Sequence, residues 1–363
     1  MRSGLRLGLN LGYWGTGDDA SNLVLAQEAD RLGYDVVWVA EAYGSDAPTV
    51  MAWVAAQTER IGVGSAVMQI PARTPAMTAM TAATLDTLSQ GRFRLGLGVS
   101  GPQVSEGWHG VRFDDALGRT REYVDVVRLA LARRPVAYEG RHLTLPLPDG
   151  PGKALRLTVT PVREHVPLYL ASLGPRNLRL TGELADGWLG LFVSPGHVGD
   201  SLARIEEGRR AAGHDGLAGF DVSATLPLVL TPDGAGERGD DAVAAAADPV
   251  RGYVALYVGG MGSRQQNFYN ALARRMGYDA AAEQVQELYL DRRPREAAAA
   301  VPTELVDATS LLGPRARVAE RLAALADAGV TTVNVTPFAP DLGTRLAMLR
   351  GAAAALEASG RAA

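Results

Sequence analysis

The stretch Gly91–Gly110 reads GRFRLGLGVSGPQVSEGWHG and combines a short apolar segment with a chemically rich loop. Residues Phe93–Val99 form an apolar run that predicts a buried strand. Gly96 and Gly98 within it indicate that another backbone or a flat ligand comes close. Three groups able to do chemistry follow before any helix is expected: Glu106, Trp108 and His109. We expect a floor and a wall for a planar ligand at this strand end, with an ordinary strand and surface loop as the alternative.

The same succession of apolar strand and following helix repeats along the chain. Eight segments predict strands: Leu5–Leu11, Val36–Ala40, Ile61–Val67, Phe93–Val99, Pro167–Ala171, Gly187–Phe192, Phe220–Leu230 and Thr331–Val335. Helical patterns lie between them and after the last one. Short connections between alternating strands and helices favour parallel strand pairing. The sequence therefore predicts an α/β fold, a (β/α)8 TIM barrel, which takes about 250 residues.

Two segments interrupt the alternation and predict insertions in a single barrel domain spanning residues 1–363. Residues from about 135 to 165 are rich in Pro, Gly and short apolar alternation, which indicates a hairpin-like insertion. Residues from about 240 to 310 have a mostly helical pattern and are too long for one crossover, so we expect a lid-like insertion. Core packing is expected for three aromatic residues of this second insertion: Tyr253, Tyr257 and Phe268.

Composition narrows the class of protein. The chain has 363 residues, of which 47% are hydrophobic and 21% charged, the profile of a globular protein with a large core. It has no cysteine, which excludes disulfides and thiolate chemistry. The first residues lack the apolar region of a signal peptide, and no apolar run of about 18 residues could span a bilayer. We expect a cytoplasmic protein with no membrane partner.

The charge pattern gives little support to nucleic-acid binding. The net charge is −4, and the basic residues are scattered along the chain, with Lys153 as the only lysine. No spacing of His, Asp and Glu is typical of a metal site. A small-molecule substrate is therefore the expected partner, and an anionic ligand would need local arginines or helix N-termini to bind.

Polar and aromatic side chains follow several predicted strands, and a parallel barrel brings the C-terminal strand ends to one face. Glu41 and Tyr43 follow the second strand. Trp14 and Trp108 also follow strand ends, so we expect them, together with Tyr43, in a substrate pocket. The turn Ser172–Asn177 leads directly into a helix, whose free N–H groups and dipole suit a phosphate. A plain turn between strand and helix is an equal alternative.

Four blocks of the sequence carry a family resemblance. They are VVWVAEAYGSDAP at residues 36–48, GSAVMQIPARTPAMTAMTAATLDTLSQGRFRLGLGVSG at 64–101, GLGVSGPQVSEGWHG at 96–110 and LYLASLGPRNLRLTGELADGW at 168–188. In this order they resemble the bacterial luciferase-like oxidoreductases, and more narrowly the deazaflavin-dependent branch, which uses coenzyme F420. The resemblance implies a (β/α)8 barrel, a homodimer and coenzyme F420 as cofactor, with FMN as the alternative.

The resemblance also implies where a deazaflavin ring and its phosphate lie. The ring would lie over the third strand at Ala66 and Val67, where relatives have a non-proline cis peptide bond. Residues after the fourth strand would border the ring or the cofactor side chain: Ser100, Gly101 and Gln103. The phosphate would meet the turn after the fifth strand and the start of the next helix: Leu173, Gly174 and Arg176.

A hydride transfer is the reaction that this cofactor implies, because a deazaflavin has carbon in place of flavin N5. Glu41, Glu106 and His109 are the candidate catalytic groups for the accompanying proton, and Tyr43 is a further candidate acid. Sugar-phosphate dehydrogenases of this branch have a histidine where this chain has Ala42, and they bind substrate phosphate through lysines. These departures indicate reduction of an activated C=C, C=N or C=O bond. The alternatives are an FMN-dependent monooxygenase or reductase and a catalytically silent barrel that binds cofactor.

Overall fold

The computed structural model describes residues 4–14, 19–232 and 240–363. Eight parallel strands form a closed barrel within them: β1 (Arg6–Asn10), β2 (Val36–Val39), β3 (Gly62–Ser65), β4 (Phe93–Gly98), β5 (Leu168–Ala171), β6 (Gly187–Leu191), β7 (Asp221–Leu230) and β8 (Thr332–Pro337). Each strand pairs with the next in sequence, and β8 pairs with β1 to close the ring. The predicted (β/α)8 TIM barrel is therefore confirmed.

Helices follow the strands and extend the chain beyond the barrel. In chain order they are α1 (Asp19–Arg31), α2 (Ala47–Ala56), α3 (Pro75–Leu88), α4 (Pro102–Gly107), α5 (Ala116–Leu131), α6 (Pro175–Leu184), α7 (Val198–Ala211), α8 (Asp240–Ala255), α9 (Phe268–Arg275), α10 (Asp279–Leu290), α11 (Pro294–Ala299), α12 (Thr303–Ala308), α13 (Arg315–Asp327) and α14 (Leu342–Ala358). Side-chain caps fix several of their starts; for example, Asp46 accepts from Thr49 N at 3.0 Å and Thr74 accepts from Met77 N at 3.2 Å. In the described part of the chain, no helix combines the length and apolarity that a membrane span requires.

Large aromatic side chains fill the barrel interior because neighbouring strands present glycine to them. Trp38 of β2 and Tyr169 of β5 pack edge to face, with ring centroids 5.2 Å apart. A Cβ atom at Gly64 would collide with the Trp38 ring, and one at Gly187 would collide with the Tyr169 ring. Trp38 Nε1 donates to Asn334 Oδ1 at 2.9 Å, which satisfies the buried indole N–H. Trp38 and Tyr169 form what we call the aromatic interior layer.

A buried ionic network occupies the N-terminal end of the barrel. Arg94 Nη1 donates to Asp35 Oδ2 at 2.7 Å, and Arg6 Nη2 donates to Asp221 Oδ1 at 2.9 Å. Tyr169 Oη donates to Asp221 Oδ2 at 2.9 Å. Burial raises the pKa of Asp35, but the hydrogen bond and charge of Arg94 and the charge of Arg6 outweigh it, so this pKa lies below its ordinary value of 3.8. The N-terminal end is therefore held by charge pairs and leaves the other end for a ligand.

A short hairpin lies between α5 and β5, within the first segment expected to be an insertion. Its antiparallel strands are Tyr138–Glu139 and Thr144–Leu145. The fully buried carboxylate of Asp86 in α3 accepts from Arg163 Nε at 2.9 Å and from Arg163 Nη2 at 2.5 Å. Arg163 Nη2 also donates to Phe93 O at the start of β4. These contacts fasten the end of the segment to the barrel.

Five helices, α8 to α12, make up the second segment expected to be an insertion. One turn of π-helix, Leu256–Gly260, directly follows α8. Arg275 Nη2 of α9 donates to Leu173 O at 3.0 Å, so this segment reaches the C-terminal end of β5. The chain then returns through the short strand Leu311–Gly313, which pairs with β7.

One short helix contradicts the sequence prediction for the loop after β4. The sequence predicts no helix there, but residues Pro102–Gly107 form α4. Pro102 occupies the first turn directly after Gly101, a position that suits proline. Ser105 N donates to Gly101 O at 2.9 Å, and Ser105 Oγ donates to Val111 O at 2.7 Å. These two bonds stabilise a single turn whose flanking glycines favour a loop in the sequence.

Candidate active site at the barrel mouth

The predicted site residues meet at the C-terminal ends of five consecutive barrel strands. Trp14 follows β1, Glu41 follows β2, Val67 follows β3, Ser100 follows β4 and Gly174 follows β5. Parallel strands of a barrel end at the same face, so these positions share one rim. We call this rim the barrel mouth.

A small apolar surface lies at the barrel mouth above the aromatic interior layer. The peptide bond between Ala66 and Val67 is cis, as the family resemblance implies. Ala66, Val67 and Ala171 are partly buried and pack on the interior layer. A Cβ atom at Gly98 would lie 2.5 Å from Val67 Cγ2, so glycine is needed for this approach. Ala66, Val67 and Ala171 form what we call the apolar platform, and partly exposed apolar side chains of this kind can contact one face of a planar ring.

His109 is hydrogen-bonded to the strand that continues from the apolar platform. Its Nε2 lies 2.7 Å from Gln69 Oε1, and Gln69 belongs to the short strand Met68–Gln69, which pairs with the end of β4. Gln69 is 2% exposed, whereas His109 is half-buried. With the amide assigned in this orientation, Gln69 Oε1 accepts the Nε2 proton, so Nδ1 of a neutral His109 is an acceptor.

Glu41 is paired with arginine at the end of β2. Its Oε1 accepts from Arg73 Nη1 at 2.6 Å, and its Oε2 accepts from Ala47 N at 3.4 Å. Arg73 Nη2 also donates to Asp46 Oδ1 at 2.5 Å. The Glu41 and Arg73 side chains are only 8% and 15% exposed. Burial lowers the pKa of Arg73, but the hydrogen bonds and charges of Glu41 and Asp46 outweigh it and raise this pKa. Glu41 thus sits in an ion-pair network rather than as an isolated acid.

Several predicted site residues of the loops are exposed. Glu106 is exposed, and its Oε1 accepts from Phe113 N at 3.0 Å, which fastens the loop after α4. Trp108 is 67% exposed, and Gln103 and Tyr43 are exposed as well. The structure therefore encloses His109 more than the other candidates from this loop.

Ser100 and Gly101 turn the chain from β4 into α4. Ser100 has a φ of 59°, a left-handed conformation that residues other than glycine rarely adopt. Gly101 is the N-cap of α4 and offers no side-chain cap. Both residues are half-buried, so they lie at the rim of the mouth, where the resemblance implies contacts to the ring or the cofactor side chain.

The turn after β5 brings an arginine that the sequence could not place. Gly174 is the N-cap of α6, and no side chain caps the first turn of this helix. Its N-terminal N–H groups carry partial positive charge. Leu173 O accepts from Arg275 of the second insertion, and partial burial lowers the pKa of this guanidinium. Arg176 lies exposed in the first turn of α6. The turn thus combines a helix N-terminus with two cations, a combination that suits a phosphate.

A group of aromatic side chains lines another part of the mouth, and we call it the tyrosine wall. Its members are Tyr13, Phe192, Tyr253, Tyr257, Tyr269 and Phe338. Tyr253 and Tyr257 pack against the core, as the sequence predicts, and these half-buried rings also contact Phe192 directly after β6. The same prediction is wrong for Phe268, which is 40% exposed. The helical spacing of these aromatic residues in the second insertion does not predict which loop of the barrel they contact.

Trp14 contributes a buried donor at the exit of β1. Its backbone N donates to Ser45 Oγ at 2.9 Å, which ties this exit to the loop after β2. The indole is half-buried, and its Nε1 is buried without a hydrogen-bond partner among the residues that the structure describes. A buried N–H at the mouth suits a contact with a ligand acceptor.

Sequence and architecture are both similar to known proteins. The family described as luciferase-like monooxygenase matches this chain over residues 12–332. The chain belongs to the luciferase-like family. The resemblance found in the sequence blocks is therefore confirmed. A relative from Mycobacterium tuberculosis, provisionally named a coenzyme F420-dependent oxidoreductase, is 43% identical to this luciferase-like protein over 342 residues, covering 93% of this chain and 96% of the relative.

Two solved structures share the fold of this luciferase-like protein. The coenzyme F420-dependent tetrahydromethanopterin reductase of Methanopyrus kandleri has a TM-score of 0.78 at 24% identity, covering 96% of this chain and 98% of that one. An F420-dependent secondary alcohol dehydrogenase, solved with an F420–acetone adduct, has a TM-score of 0.77 at 19% identity, covering 97% of this chain and 99% of that one. At these identities the two structures establish the fold alone.

Proposed function

We propose that this luciferase-like protein is a coenzyme F420-dependent oxidoreductase that transfers a hydride between cofactor C5 and a small organic substrate. The central observation is the apolar platform beside the hydrogen-bonded pair of His109 and Gln69. The platform would contact one face of a planar ring, and the neighbouring His109 can exchange a proton. The relative that is 43% identical over nearly its whole length supports a deazaflavin in particular.

The residues at the mouth fit this cofactor in two places. The apolar platform would support one face of the ring, with Ser100, Gly101 and Gln103 at its edge. Leu173 and Gly174, with the uncapped start of α6, would bind the phosphate, and Arg176 and Arg275 would supply charge. When bound, coenzyme F420 supplies or accepts a hydride in a two-electron step and reacts poorly with oxygen.

We assign proton transfer to His109. A reduced double bond gains a hydride at one atom and a proton at the other, so a proton donor is needed near the ring. Gln69 Oε1 accepts the proton of His109 Nε2, so His109 donates to the substrate from Nδ1 when both ring nitrogens are protonated, and Nδ1 is reprotonated by solvent after the step. The half-buried position of the ring limits competition from water. Glu106 remains a weaker candidate because its side chain is exposed and holds the Phe113 backbone.

Glu41 acts through Arg73 in this proposal. The carboxylate and the guanidinium are largely buried and bonded at 2.6 Å, so the pair fixes the loop after β2 against the residues after β3. This loop carries Tyr43 and Ser45, and Ser45 binds the backbone of Trp14. Glu41 is therefore a positioning residue for the candidate substrate side chains.

The substrate is proposed to contain an activated C=C, C=N or C=O bond that the enzyme reduces. The position after Glu41 is Ala42, which cannot act as an acid or base. Lys153 is the only lysine of the chain and lies near the first insertion hairpin rather than at a strand end of the mouth. A lysine clamp for a sugar phosphate is therefore absent from the sequence.

A homodimer is also proposed, with a cytoplasmic location as a remaining prediction. Exposed apolar side chains cluster on two helices that pack against each other, α2 and α3: Trp53, Met77, Met80 and Leu88. Large contiguous apolar patches on soluble proteins mark interaction surfaces. A second copy of the chain is the occupant that the family resemblance favours.

An FMN-dependent monooxygenase or reductase is the second candidate, because the matching family is described as luciferase-like monooxygenase and a flat apolar platform suits either ring. Paired fluorescence titrations of the apo-protein with coenzyme F420 and with FMN distinguish the two. We expect coenzyme F420 to bind at least about tenfold more tightly, a difference of about 1.4 kcal/mol. Preferential FMN binding would overturn the proposal, and F420 binding without reduction of any activated alkene, imine or ketone would indicate a catalytically silent barrel.

A further inference from the structure

The tyrosine wall and the predicted cofactor residues occupy different arcs of the barrel mouth. Phe192 directly follows β6, Phe338 directly follows β8, and Tyr13 lies just after β1. The apolar platform, Ser100 and Leu173 follow β3, β4 and β5. Because the strands form a closed ring in sequence order, the two sets lie on facing arcs. A ring on the platform therefore has the tyrosine wall across the mouth.

Ring contacts join the members of the tyrosine wall other than Tyr13 into one surface. The Phe192 centroid lies 5.9 Å from Tyr253, 5.6 Å from Tyr257 and 6.0 Å from Tyr269. The Tyr253 and Tyr257 centroids are 4.7 Å apart, and those of Tyr257 and Tyr269 are 4.8 Å apart. Tyr253 also reaches Phe338, at 5.4 Å. The three tyrosines are half-buried, so these packed rings keep part of their surface open.

Hydrogen bonds from the Asn267 side chain fix the backbone at Tyr257. Tyr257 lies in the π-helical turn Leu256–Gly260, a feature that is frequent at functional sites. Buried Asn267 donates from Nδ2 to Tyr257 O at 3.0 Å and to Val258 O at 2.9 Å. The side chain that projects from this turn is therefore positioned before a ligand arrives, which lowers the entropic cost of binding.

The tyrosine wall is neutral and carries hydrogen-bond donors. Burial raises the pKa of Tyr13, Tyr253, Tyr257 and Tyr269 above the ordinary value of 10.0, so the phenols stay protonated at neutral pH. The titratable neighbours that act on these phenols are other tyrosines. An anionic group placed against them would lose hydration without gaining a cation, whereas a carbonyl oxygen would accept a phenol hydrogen bond.

We propose that the tyrosine wall binds the substrate and selects an uncharged molecule in which a flat conjugated group carries the reducible bond, the class of aryl enones and aryl ketones. The wall's rings supply flat apolar contact, and its phenols supply donors to one carbonyl oxygen. This inference rests on the proposed function, because it names the substrate class of the same site.

A matched pair of probes tests the selection. The neutral ketone 4-phenylbut-3-en-2-one and the anion trans-cinnamate share a styryl group and differ in a methyl ketone against a carboxylate. Each is titrated calorimetrically into the protein saturated with oxidised coenzyme F420, which cannot reduce them. We expect the ketone to bind at least about tenfold more tightly than cinnamate. Equal affinity, or tighter binding of cinnamate, would overturn the selection for uncharged substrates.

Variants of Tyr257 test whether the wall is the surface involved. Tyr257→Leu is expected to weaken ketone binding about tenfold, and Tyr257→Phe, which keeps the ring, about threefold. The affinity for coenzyme F420 should change less than about twofold, a difference of about 0.4 kcal/mol. The aromatic control is Tyr138→Leu in the hairpin, which should leave both affinities unchanged. In the wild-type protein the Tyr138 hydroxyl donates to Asp125 Oδ2 at 3.0 Å.

The result also separates this inference from the proposed function. If wild-type protein does not bind coenzyme F420, the proposed function fails, and the ketone is titrated into the apo-protein, where Tyr257→Phe still reports on the wall. If coenzyme F420 binds but both Tyr257 variants bind the ketone as wild type does, the tyrosine wall is not the substrate surface. The conservative Phe variant keeps the test open if the Leu variant does not fold.

Discussion

His109 Nε2 and Gln69 Oε1 lie 2.7 Å apart, and this contact joins the loop after α4 to the strand that continues from the cis peptide. The buried amide orients the imidazole and holds a proton on one ring nitrogen. A histidine so oriented accepts a proton on Nδ1 when the ring is neutral and donates that proton when the ring is doubly protonated, in either case without rearrangement. The contact therefore converts a loop residue into a positioned acid or base.

Replacing His109 is expected to slow reduction far more than it weakens cofactor binding. His109→Gln removes the proton donor, and general acid catalysis contributes about 10²- to 10⁴-fold to a rate, so kcat should fall within that range. The affinity for coenzyme F420 should stay within about twofold. Stopped-flow absorbance of F420 oxidation gives kcat, and fluorescence titration gives the affinity. Unchanged kcat would remove His109 from the mechanism.

Gln69→Leu provides the companion measurement. The histidine remains, but its tautomer is no longer fixed, so kcat should fall less, about tenfold, and the pH profile of kcat should move. Glu106→Gln is the matched control from the same loop, because the amide still accepts from Phe113 N. A merely structural role of Gln69 would lower kcat without moving the pH profile.

Glu41→Gln is expected to destabilise the fold by leaving a largely buried guanidinium underpaired. Breaking a buried ion pair costs about 3 to 5 kcal/mol, and Arg73 keeps its contact with Asp46, so we expect a loss of about 2 kcal/mol. Urea denaturation measures this free energy of unfolding. Asp46→Asn is the control, since Asp46 is half exposed and asparagine also caps α2, and its effect should stay below about 1 kcal/mol. Equal losses in both variants would contradict the central role of Glu41.

The barrel itself follows from the sequence because each strand is a short apolar run that ends at polar or glycine residues. The limits of β4, for example, differ from the predicted Phe93–Val99 by one residue. The predicted positions of Ala66 and Val67 also lie at the mouth, since the end of a parallel strand is fixed by where its apolar run stops. In a parallel barrel, the end of an apolar run in the sequence therefore predicts which residues lie at the mouth.

The sequence pattern does not predict contacts between side chains that are far apart along the chain. Glu41 and Arg73 are both visible as residues after strand ends, but nothing in their spacing reveals that they pair and so immobilise the carboxylate. Arg275 and Tyr257 lie in the second insertion, whose path over the mouth depends on packing with distant loops. The exposure of Trp108 likewise depends on the short helix α4, which the sequence does not predict because glycines flank it.

Asp35 makes the stability of the barrel dependent on pH. Its pKa in the folded state lies below the ordinary value of 3.8, because Arg94 and Arg6 outweigh the effect of burial. Its contribution is therefore fully present above pH 3.8 and is lost as the pH falls through the lower folded-state pKa. Asp35→Asn should lower the free energy of unfolding at neutral pH and make its decline in acid less steep.

Urea denaturation at a series of pH values checks the Asp35 prediction. Asp248→Asn is the control, because Asp248 is exposed and forms a local pair with Arg251, three residues along the chain, at 3.0 Å. The control should follow the wild-type curve at every pH. An Asp35→Asn curve parallel to wild type below pH 4 would show that Asp35 is not the source of the acid sensitivity.

Arg275 is expected to strengthen cofactor binding through the phosphate. Arg275→Gln should raise the Kd for coenzyme F420 about tenfold, because a hydrogen bond to a charged group contributes about 1.5 to 3 kcal/mol and part of this is screened. The difference from wild type should shrink at high salt. Titrations at two ionic strengths measure both effects, with Arg264→Gln, an exposed arginine of the same insertion, as the control. A Kd equal to that of wild type at both ionic strengths would exclude Arg275 from the phosphate site.

Met80 and Trp53 are expected to lie in a contact between two copies of the chain. Both side chains are exposed on helices that pack against each other, α3 and α2, and a charge there would be buried without a partner in a dimer. Met80→Glu should therefore shift a dimer towards monomer, as measured by size-exclusion chromatography with light scattering. Leu147→Glu, which changes an exposed apolar residue near the hairpin, is the control and should leave the mass unchanged. A monomeric mass for the wild-type protein would refute the dimer. A dimeric mass for Met80→Glu would show that the interface lies on another face.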